Sequence, residues 1–444
     1  MGVCAIGGRA KLQRWLIICP DNAFSVWRDE APRWIEHFWP EADVMSEFID
    51  QAPDERLSRW NGQVVLEQNR ILLSIVTYDT FIRDWGETVK IPGKRKKMVR
   101  FRPRSQYQIP NIVVLDEAKR IRNPESISFR VIQRFLEYYN VQRVFPMTGT
   151  PGHQPRHFWT MLNIIDPKYF RSYWKFIYAF HEVIDNGWGQ EILEPKNLIE
   201  WHKLLVKYFS VVKEDDEGIA DQRPPMTRQL LTIDMEPAQK TIYDNLIKDL
   251  FHIDTESGIA IVAQNELALA TRLRQVLICP AILDPSAGVG AAIKDFADTV
   301  EPGDHNVIFT PFTKAFPHFQ EYLEGRKFKT HLLYGGMGTS QRDSVLQEYK
   351  SSGGTVICST LYAQAFSLEP ATRSFAIGYD WDPDNNRQAE KRLHRLTTTN
   401  PVTAYYYTFR STFDERLCNI LNIKMEHLNL TIPGNLRKFV KGEL

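Results

Sequence analysis

The run Ile112-Val113-Val114-Leu115 constrains the fold of this chain most, because it is short, apolar and followed directly by two acids, Asp116 and Glu117. Such a run, mostly of β-branched residues, predicts a strand covered on both faces, as in a parallel sheet. Ligands of open α/β sheets bind at the carboxyl ends of the strands. One carboxylate there could hold a Mg²⁺ that bridges phosphates while the other orients and deprotonates an attacking water. The two acids could equally cap the next helix.

Other short apolar runs repeat this pattern along the chain. In the first half, the additional predicted strands are Trp15–Pro20, Ile71–Val76 and Arg143–Met147. In the second half, they are Arg228–Ile233, Val307–Thr310, His331–Tyr334, Thr355–Cys358, Phe375–Asp380 and Ala404–Phe409. Helix-length segments separate most of them, which is typical of parallel α/β sheets. The predicted fold class is therefore α/β, with two tandem parallel-sheet lobes and helical insertions.

The length of 444 residues predicts two or three domains. The polar stretch from Lys213 to Pro225 contains Gly218 and a pair of prolines, which is typical of a linker. We therefore expect an N-terminal lobe over 1–225 and a C-terminal lobe over 226–444. Helical insertions are predicted at about 156–210 and about 236–300. Aromatic residues recur at helical spacing in the first insertion, which favours core packing over a platform for stacking bases.

The composition argues against several classes of protein. The formal net charge is +1, so overall charge does not indicate a polyanionic partner. The five cysteines have no CxxC spacing, which argues against a zinc site and a disulfide framework. No apolar run approaches the roughly 18 residues that cross a bilayer, and the N-terminus lacks the pattern of a signal peptide. These features predict a protein that is cytoplasmic (in a bacterial or phage-infected cell) or nuclear, neither secreted nor in a membrane.

One local surface is expected to differ from this neutral average. The run from Lys94 to Arg104 holds seven cationic residues and no acid. Such a loop can contact phosphates and displace counterions, which gives salt-sensitive binding independent of base sequence. The predicted nucleic-acid contacts are Lys94, Arg95, Lys96 and Lys97. A solubilising loop or a nuclear-localisation-like signal is the alternative. Phe101 could stack on a base, although Arg102-Pro103 indicates an extended arm.

Further motifs follow the predicted strands in a fixed order. In the first lobe they are Leu16–Pro20 with Trp27 and Glu30, Thr77–Asp79, Asp116–Lys119 and Thr148–Pro151. In the second lobe they are Leu273–Leu283, Val307–Phe312, Ser359–Leu368, Tyr379–Arg395 and Thr412–Glu415. This order resembles the Swi/Snf-type DNA-dependent ATPases of helicase superfamily two, whose motor is a pair of RecA-like lobes. Asp116–Lys119 resembles the DEAH box of that family, with Lys119 in place of its His.

The resemblance covers nearly the whole chain and implies two tandem RecA-like lobes, ATP and Mg²⁺ as ligands, and double-stranded DNA as partner. It implies that Asp116 holds Mg²⁺ and that Glu117 activates the attacking water. The residues implied to contact the γ-phosphate are Gln388, Arg392 and Arg395. The residues implied to couple the nucleotide site to the nucleic acid are Thr148, Gly149 and Thr150. Further nucleic-acid contacts are implied for Thr77, Ser359 and Thr360.

The spacing Gln388-x₃-Arg392-x₂-Arg395 suits a helix, because positions three or four apart share a face and both guanidiniums could point the same way. Arginine is suited to phosphate, since its planar fork meets phosphate oxygens bidentately and stabilises charge on a transferring phosphoryl group. The alternatives are a solvated basic helix, or pairing of these arginines with Glu390.

A motor of this family needs a phosphate-binding loop near its start, with Lys at the β- and γ-phosphates and Ser or Thr on Mg²⁺. Met1-Gly2-Val3 resembles the start of that loop, but Cys4–Gly8 follows, in a pattern typical of the next helix. The chain is therefore a truncated or deleted motor, a chain that receives this loop from another polypeptide, or a pseudo-ATPase. The expected function is a Swi/Snf-like ATPase and DNA translocase or helicase. The alternative is a catalytically impaired pseudo-ATPase that acts as a DNA-binding or regulatory protein.

Overall fold

A computed structural model of the chain divides into two compact units, one within Met1–Val211 and the other within Val212–Glu426. The predicted lobe boundary at 225/226 stays a prediction, because the segment 212–223 lies outside the described residues. The structure describes residues 3–4, 7, 10–62, 64–67, 69–90, 97–104, 107–149, 151–152, 154–187, 189–211, 224–249, 251–253, 260–262, 266–360, 366–395 and 398–415.

The first unit is built on a parallel sheet. The strands of this unit are β1 (Arg14–Cys19), β2 (Asp43–Phe48), β3 (Arg70–Thr77), β4 (Gly86–Lys90), β5 (Lys97–Phe101), β6 (Ile112–Leu115), β7 (Val144–Pro146), β8 (His181–Asp185) and β9 (Gln190–Pro195). Five of them form the sheet in the order β2-β3-β1-β6-β7, and every pairing in it is parallel. All four residues of β6 are buried, which confirms the prediction from their composition.

Helices accompany this sheet, and some of them begin at a side chain that caps the first turn. They are α1 (Phe24–Phe38), α2 (Pro53–Asn61), α3 (Tyr78–Trp85), α4 (Ile127–Tyr138), α5 (Trp159–Ile165), α6 (Tyr173–Phe180) and α7 (Leu198–Tyr208). Thr77 caps α3, since its side chain accepts a hydrogen bond from Thr80 N at 3.2 Å. Ser126 caps α4 in the same way, through Phe129 N. The buried residues of α4 recur every three or four positions, which turns one face of the helix to the core.

Strands β4 and β5 form an antiparallel hairpin directly after α3. The Phe101 ring at the end of β5 stacks on Trp85, with ring centroids 6.1 Å apart and an interplanar angle of 10°. Trp85 itself is fully buried. Pairing with β4 and packing of Phe101 on an aromatic core therefore hold residues 97–101 in this hairpin. The extended arm indicated at Arg102-Pro103 stays a prediction.

The segment after β7 combines three helices, α5 to α7, with the antiparallel hairpin β8–β9. Its aromatic residues pack mainly inward, and Phe158 and Trp201 lie with ring centroids 5.1 Å apart in the core of the first unit. Trp174 and Tyr178 on α6 are exposed instead. Core packing therefore explains most of the aromatic pattern at this point of the sequence.

The second unit contains a six-stranded sheet. Its strands are β10 (Met226–Ile233), β13 (Asn306–Thr310), β14 (Thr330–Leu333), β15 (Thr355–Ser359), β16 (Arg373–Ala376) and β17 (Val402–Phe409), and a separate hairpin pairs β11 (Phe251–Ile253) with β12 (Ala260–Val262). The sheet order is β10-β17-β16-β13-β15-β14, and every pairing is parallel. Two parallel sheets with intervening helices confirm the predicted α/β class.

The helices of the second unit pack on this sheet around a core of their own. They are α8 (Pro237–Asp249), α9 (Glu266–Ile278), α10 (Ala291–Thr299), α11 (Phe316–Gly325), α12 (Thr339–Ser352) and α13 (Pro383–Glu390). Asp382 caps α13 through Asp384 N, and Pro383 occupies its first position, where a missing N–H has no consequence. None of the helices described is long and apolar enough to cross a membrane.

Candidate functional site

The two predicted acids follow β6 at the carboxyl edge of the first sheet. The backbone N–H of Asp116 donates to Ile18 O at 2.9 Å, which places the residue beside the end of β1. The phenol of Tyr78, the first residue of α3, donates to the backbone O of Asp116 at 2.9 Å. Residues that follow β3 and residues of β1 thus fix the backbone of Asp116, as expected where parallel strands end at one edge.

Both carboxylate oxygens of Asp116 accept hydrogen bonds. Trp27 Nε1, on α1, donates to Oδ2 at 2.9 Å, and Glu117 N donates to Oδ1 at 3.0 Å. Burial raises the pKa of Asp116, the bond from Trp27 lowers it, and the charge of Glu117 raises it. The residue is still partly exposed. The two hydrogen bonds therefore give the carboxylate a defined orientation.

Glu117 has an unusual backbone conformation. Its φ of 49° and ψ of 53° lie in the left-handed region, which side chains other than Asn and Asp rarely adopt. Its carboxylate makes no capping bond to the 3₁₀ turn Ala118–Ile121, so helix capping does not explain this residue. Thr148 Oγ1 donates to Glu117 Oε2 at 3.1 Å instead. Strained residues of this kind concentrate at functional sites.

Thr148 brings the end of β7 to the acids that follow β6. Ala118 N also donates to Met147 O at 2.8 Å, so the two strand ends are joined through backbone as well as side chain. Gly149 follows with open space around its Cα, since an added Cβ would meet no heavy atom within 4 Å. Thr150 lies outside the described residues. The coupling role of these three residues stays a prediction.

The acids fit the metal side of a Mg²⁺-nucleotide site. Mg²⁺ prefers oxygen ligands and is usually held by one or two carboxylates together with phosphate oxygens and waters. Asp116 and Glu117 are adjacent, partly exposed and at the strand end, which suits this mode. Within the described ranges, no group of three or more His, Cys, Asp or Glu residues is placed to hold a metal ion.

The residues that would contact the phosphates of a bound nucleotide are not all present in this chain. The printed sequence contains no Gly-Lys-Ser or Gly-Lys-Thr triplet. The described residues at the opening of the chain, Val3, Cys4 and Gly7, are helical, as the pattern of Cys4–Gly8 predicts. The residues present therefore fit the metal and not the β- and γ-phosphate contacts of the family.

The predicted arginines of the second unit are arranged differently from the expectation. Helix α13 ends at Glu390, so the prediction of one helix that carries Gln388, Arg392 and Arg395 is wrong. The Arg392 N–H donates to Ala389 O at 3.1 Å in a tight turn, and the Arg392 carbonyl accepts a bond from Leu368 N at 2.9 Å. Beyond the end of α13 this carbonyl pairs with the 366–368 segment and not with a following turn of helix.

The two arginine side chains contact carbonyl oxygens of their own unit. Arg392 Nε donates to Gln388 O at 3.2 Å, and Arg395 Nη2 donates to Phe366 O at 2.7 Å. Burial lowers the pKa of Arg395. Gln388 itself is buried. Contact of these three residues with the γ-phosphate stays a prediction.

The Glu390 carboxylate pairs with Arg228 and Tyr406, so the alternative in which Arg392 and Arg395 pair with Glu390 is wrong. Its carboxylate accepts bonds from Arg228 of β10, with Nη2 to Oε2 at 2.7 Å, and from the phenol of Tyr406 on β17. The Glu390 side chain is 5% exposed. His394 contacts Pro224 O through Nε2 at 2.7 Å. These contacts tie the end of α13 to the edge of the second sheet.

The predicted nucleic-acid residues occupy several different environments. Thr77 caps α3 with its side chain. Ser359 and Thr360 are buried at the end of β15, where Thr360 N donates to Thr310 O at 3.1 Å. Lys97 opens β5, and the predicted contacts Lys94, Arg95 and Lys96 lie outside the described residues. Nucleic-acid contact by all of these residues stays a prediction.

Two residues of the site are not assigned a role by the sequence. Trp27 and Tyr78 both stand in motifs of the first lobe, but nothing in the sequence says that they contact Asp116. The available signal is indirect. Each follows a predicted strand that would end at the same sheet edge as Asp116, so a polar group there has a short path to the carboxylate.

Curated relatives match most of this chain. It is 23% identical over 353 residues to "CHD3-type chromatin-remodeling factor PICKLE" of Arabidopsis thaliana, which covers 73% of this chain and 24% of the relative. It is 22% identical over 420 residues to "Chromodomain-helicase-DNA-binding protein 1-like" of Danio rerio, which covers 90% of this chain and 37% of the relative. The chain thus spans well under half the length of these two relatives.

A solved structure, "Sulfolobus solfataricus SWI2/SNF2 ATPase core in complex with dsDNA", aligns with a TM-score of 0.37 and 18% identity over 97% of this chain and 89% of that chain. The family model of the helicase conserved C-terminal domain matches residues 290–397. The family model of the SNF2-related domain matches residues 7–282, more than half of the chain. The chain therefore belongs to the SNF2-related family, and the resemblance predicted from its motifs is confirmed.

Proposed function

We propose that this chain is a nucleic-acid-dependent ATPase that translocates along double-stranded DNA. The observation that supports this best is the arrangement of Asp116 and Glu117 after a buried strand, held by Trp27, Tyr78 and Thr148. Glu117 also holds a left-handed backbone, and strained residues of this kind concentrate at functional sites. Membership of the SNF2-related family makes ATP the expected nucleotide.

The residues have distinct roles in this proposal. Bound Mg²⁺ would neutralise charge on the phosphates. Asp116 would hold the ion with lone pairs that Trp27 and Glu117 N leave free. Glu117 would accept the proton of the attacking water, with Thr148 holding its Oε2 atom. Arg392 and Arg395, with Gln388, would stabilise charge on the γ-phosphate.

Duplex DNA is the partner that the relatives favour. Their names describe a chromatin-remodeling factor and a helicase-DNA-binding protein. In this chain the basic run Lys94 to Arg104 supplies cations without an acid within the run. The proposed location of the protein is therefore the nucleus or the cytoplasm of a bacterial or phage-infected cell, where it would meet duplex DNA. Stepping along DNA, rather than strand separation, is the form of motion we propose.

The proposed activity is tested by measuring ATP hydrolysis with and without duplex DNA. We expect DNA to stimulate hydrolysis, and Glu117→Gln to lower the stimulated rate about a hundredfold or more, because general bases contribute about 10²- to 10⁴-fold. Glu125→Gln, at an exposed position after the same strand, is the matched control and should keep the rate of the unmodified chain. Equal rates in the Glu117 and Glu125 variants would refute the assignment of Glu117.

A second candidate function is DNA binding without hydrolysis. The absence of a Gly-Lys-Ser/Thr triplet from the printed sequence favours it, because the Lys and the Ser or Thr supply a phosphate contact and a metal ligand. This candidate predicts duplex binding with the same affinity at zero and millimolar ATP and no hydrolysis above background. Hydrolysis that DNA stimulates and Glu117→Gln abolishes would rule it out.

A further inference from the structure

Among the described residues, Trp27 is the one whose side chain donates a hydrogen bond to the Asp116 carboxylate. The other bond to this carboxylate comes from the backbone N–H of Glu117. Trp27 lies in the first turn of α1, which follows β1 after a short turn, and its Nε1 is 2.9 Å from Asp116 Oδ2. Trp27 is not part of the fully buried core. The indole N–H thus joins the first turn of α1 to the acid at the end of β6.

The other contacts of Asp116 leave its carboxylate orientation open. Bonds to Ile18 O and from Tyr78 fix the backbone of Asp116 and not its side chain. Rotation of an aspartate carboxyl about its last torsion has a broad, shallow profile, so a single bond from Glu117 N at 3.0 Å to Oδ1 restrains it weakly. The second bond, from Trp27 to Oδ2, fixes the plane of the carboxylate.

We propose that Trp27 is a positioning residue, which holds the Asp116 carboxylate in the orientation that receives the metal ion of the bound nucleotide. The inference rests on the proposed function, because it assigns Trp27 a task at the same site. Outer partners of metal-ligating carboxylates commonly change metal affinity or activity about 10- to 100-fold when removed. The effect of removing Trp27 should appear in the metal requirement more than in the apparent KM for ATP.

The test replaces the indole by a ring that cannot donate. Trp27→Phe keeps an aromatic side chain and removes Nε1. Trp34→Phe, on the same helix and also half-buried, is the matched control, since Trp34 contacts the ring of His37 and not the site. Binding of Mn²⁺ is measured by electron paramagnetic resonance at a fixed ADP concentration. We expect Trp27→Phe to raise the Mn²⁺ concentration at half-saturation about tenfold. Trp34→Phe should change it less than twofold.

A second measurement needs no turnover and reports the hydrogen bond itself. In protein labelled with ¹⁵N at tryptophan, the Trp27 indole signal is assigned by its disappearance in Trp27→Phe. We expect Asp116→Ala to shift this signal, Mn²⁺·ADP to broaden it strongly, and Trp34→Phe to leave it in place. An unmoved Trp27 signal in Asp116→Ala, or an unchanged Mn²⁺ affinity in Trp27→Phe, would overturn the inference.

The inference and the proposed function fail in different ways. Hydrolysis stimulated by DNA together with normal metal affinity in Trp27→Phe would remove the inference and leave the proposed function in place. Failure of the unmodified chain to bind Mn²⁺·ADP at all would remove both.

Discussion

At the scale of single residues, Glu117 shows how the site is held. A left-handed conformation costs a residue with a side chain about 1–2 kcal/mol, and Glu117 adopts it at φ 49°. The following residue bonds to Met147 O and Thr148 bonds to the Glu117 carboxylate, so β7 compensates the strain left at the end of β6. The base proposed for water activation is thereby fixed by its neighbours before any ligand arrives.

Removal of the Thr148 hydroxyl tests this arrangement. We expect Thr148→Val, which keeps the shape and removes the donor, to lower the DNA-stimulated rate of ATP hydrolysis about tenfold, because a base that is free to rotate is misplaced for part of the time. Thr148→Ser keeps the donor and should retain most of the rate. Duplex affinity should be unchanged in both. Equal rates for the Val and Ser variants would show that the hydroxyl does not hold Glu117.

The sequence predicts some of these residues better than others. The position of Asp116 and Glu117 at a sheet edge is predictable because they follow a short apolar run that is typical of a buried strand. The bond from Trp27 is not predictable, since it joins residues 89 positions apart through the geometry of the sheet edge. Spacing alone predicts a helical Arg392, but its carbonyl pairs instead with Leu368 N, a tertiary contact that spacing cannot reveal.

At the scale of elements, burial decides which strands the sequence reveals. Strands such as β1 and β13 are almost wholly buried, and their sequences are apolar runs that predict a strand. Strand β2 lies at the edge of its sheet and contains Asp43, Ser46 and Glu47, so its sequence does not indicate a strand. The hairpin β8–β9 is exposed along much of its length and carries no such signal either.

Strand β5 lies within the basic run from Lys94 to Arg104, which makes this run the segment to test for DNA contact. Replacement of Lys94, Arg95, Lys96 and Lys97 by alanine should weaken duplex binding and make the slope of log affinity against log salt shallower by about 2 to 3, because each phosphate that a cation neutralises contributes about 0.9 to the slope. Fluorescence anisotropy at several salt concentrations measures this.

The matched control for this variant removes exposed lysines elsewhere in the first unit, at Lys168, Lys175 and Lys203. This triple variant changes the net charge by a similar amount and should keep the slope within experimental error. The same slope in both variants, whether unchanged or equally reduced, would mean that the basic run makes no specific contribution and that only overall charge matters.

At the scale of the whole molecule, the two units have separate hydrophobic cores, one drawn from residues 16 to 205 and the others from residues 242 to 409. The formal net charge of +1 makes general charge repulsion a weak influence on stability near neutral pH. Individual buried ionisable groups should therefore dominate the pH dependence. In the second unit, burial raises the pKa of Asp414 to about 7, and the charge of Arg274 opposes this only in part.

This pKa gives a definite sign to the pH dependence of stability. Between about pH 4 and 7 the folded second unit keeps a proton on Asp414 that the unfolded chain releases, so the free energy of unfolding falls as pH rises through this window and is flat above it. Asp414→Asn removes the titration, and at pH 8 the variant should exceed the unmodified chain in stability by about 2–4 kcal/mol, with little difference near pH 4. Thermal unfolding followed at pH 4 to 8 measures this, with Asp234→Asn, at a side chain that is 77% exposed, as the control that should show no such trend. A stability of the unmodified chain that rises relative to Asp414→Asn over the same range would mean that the Asp414 carboxylate is held as an anion beside Arg274.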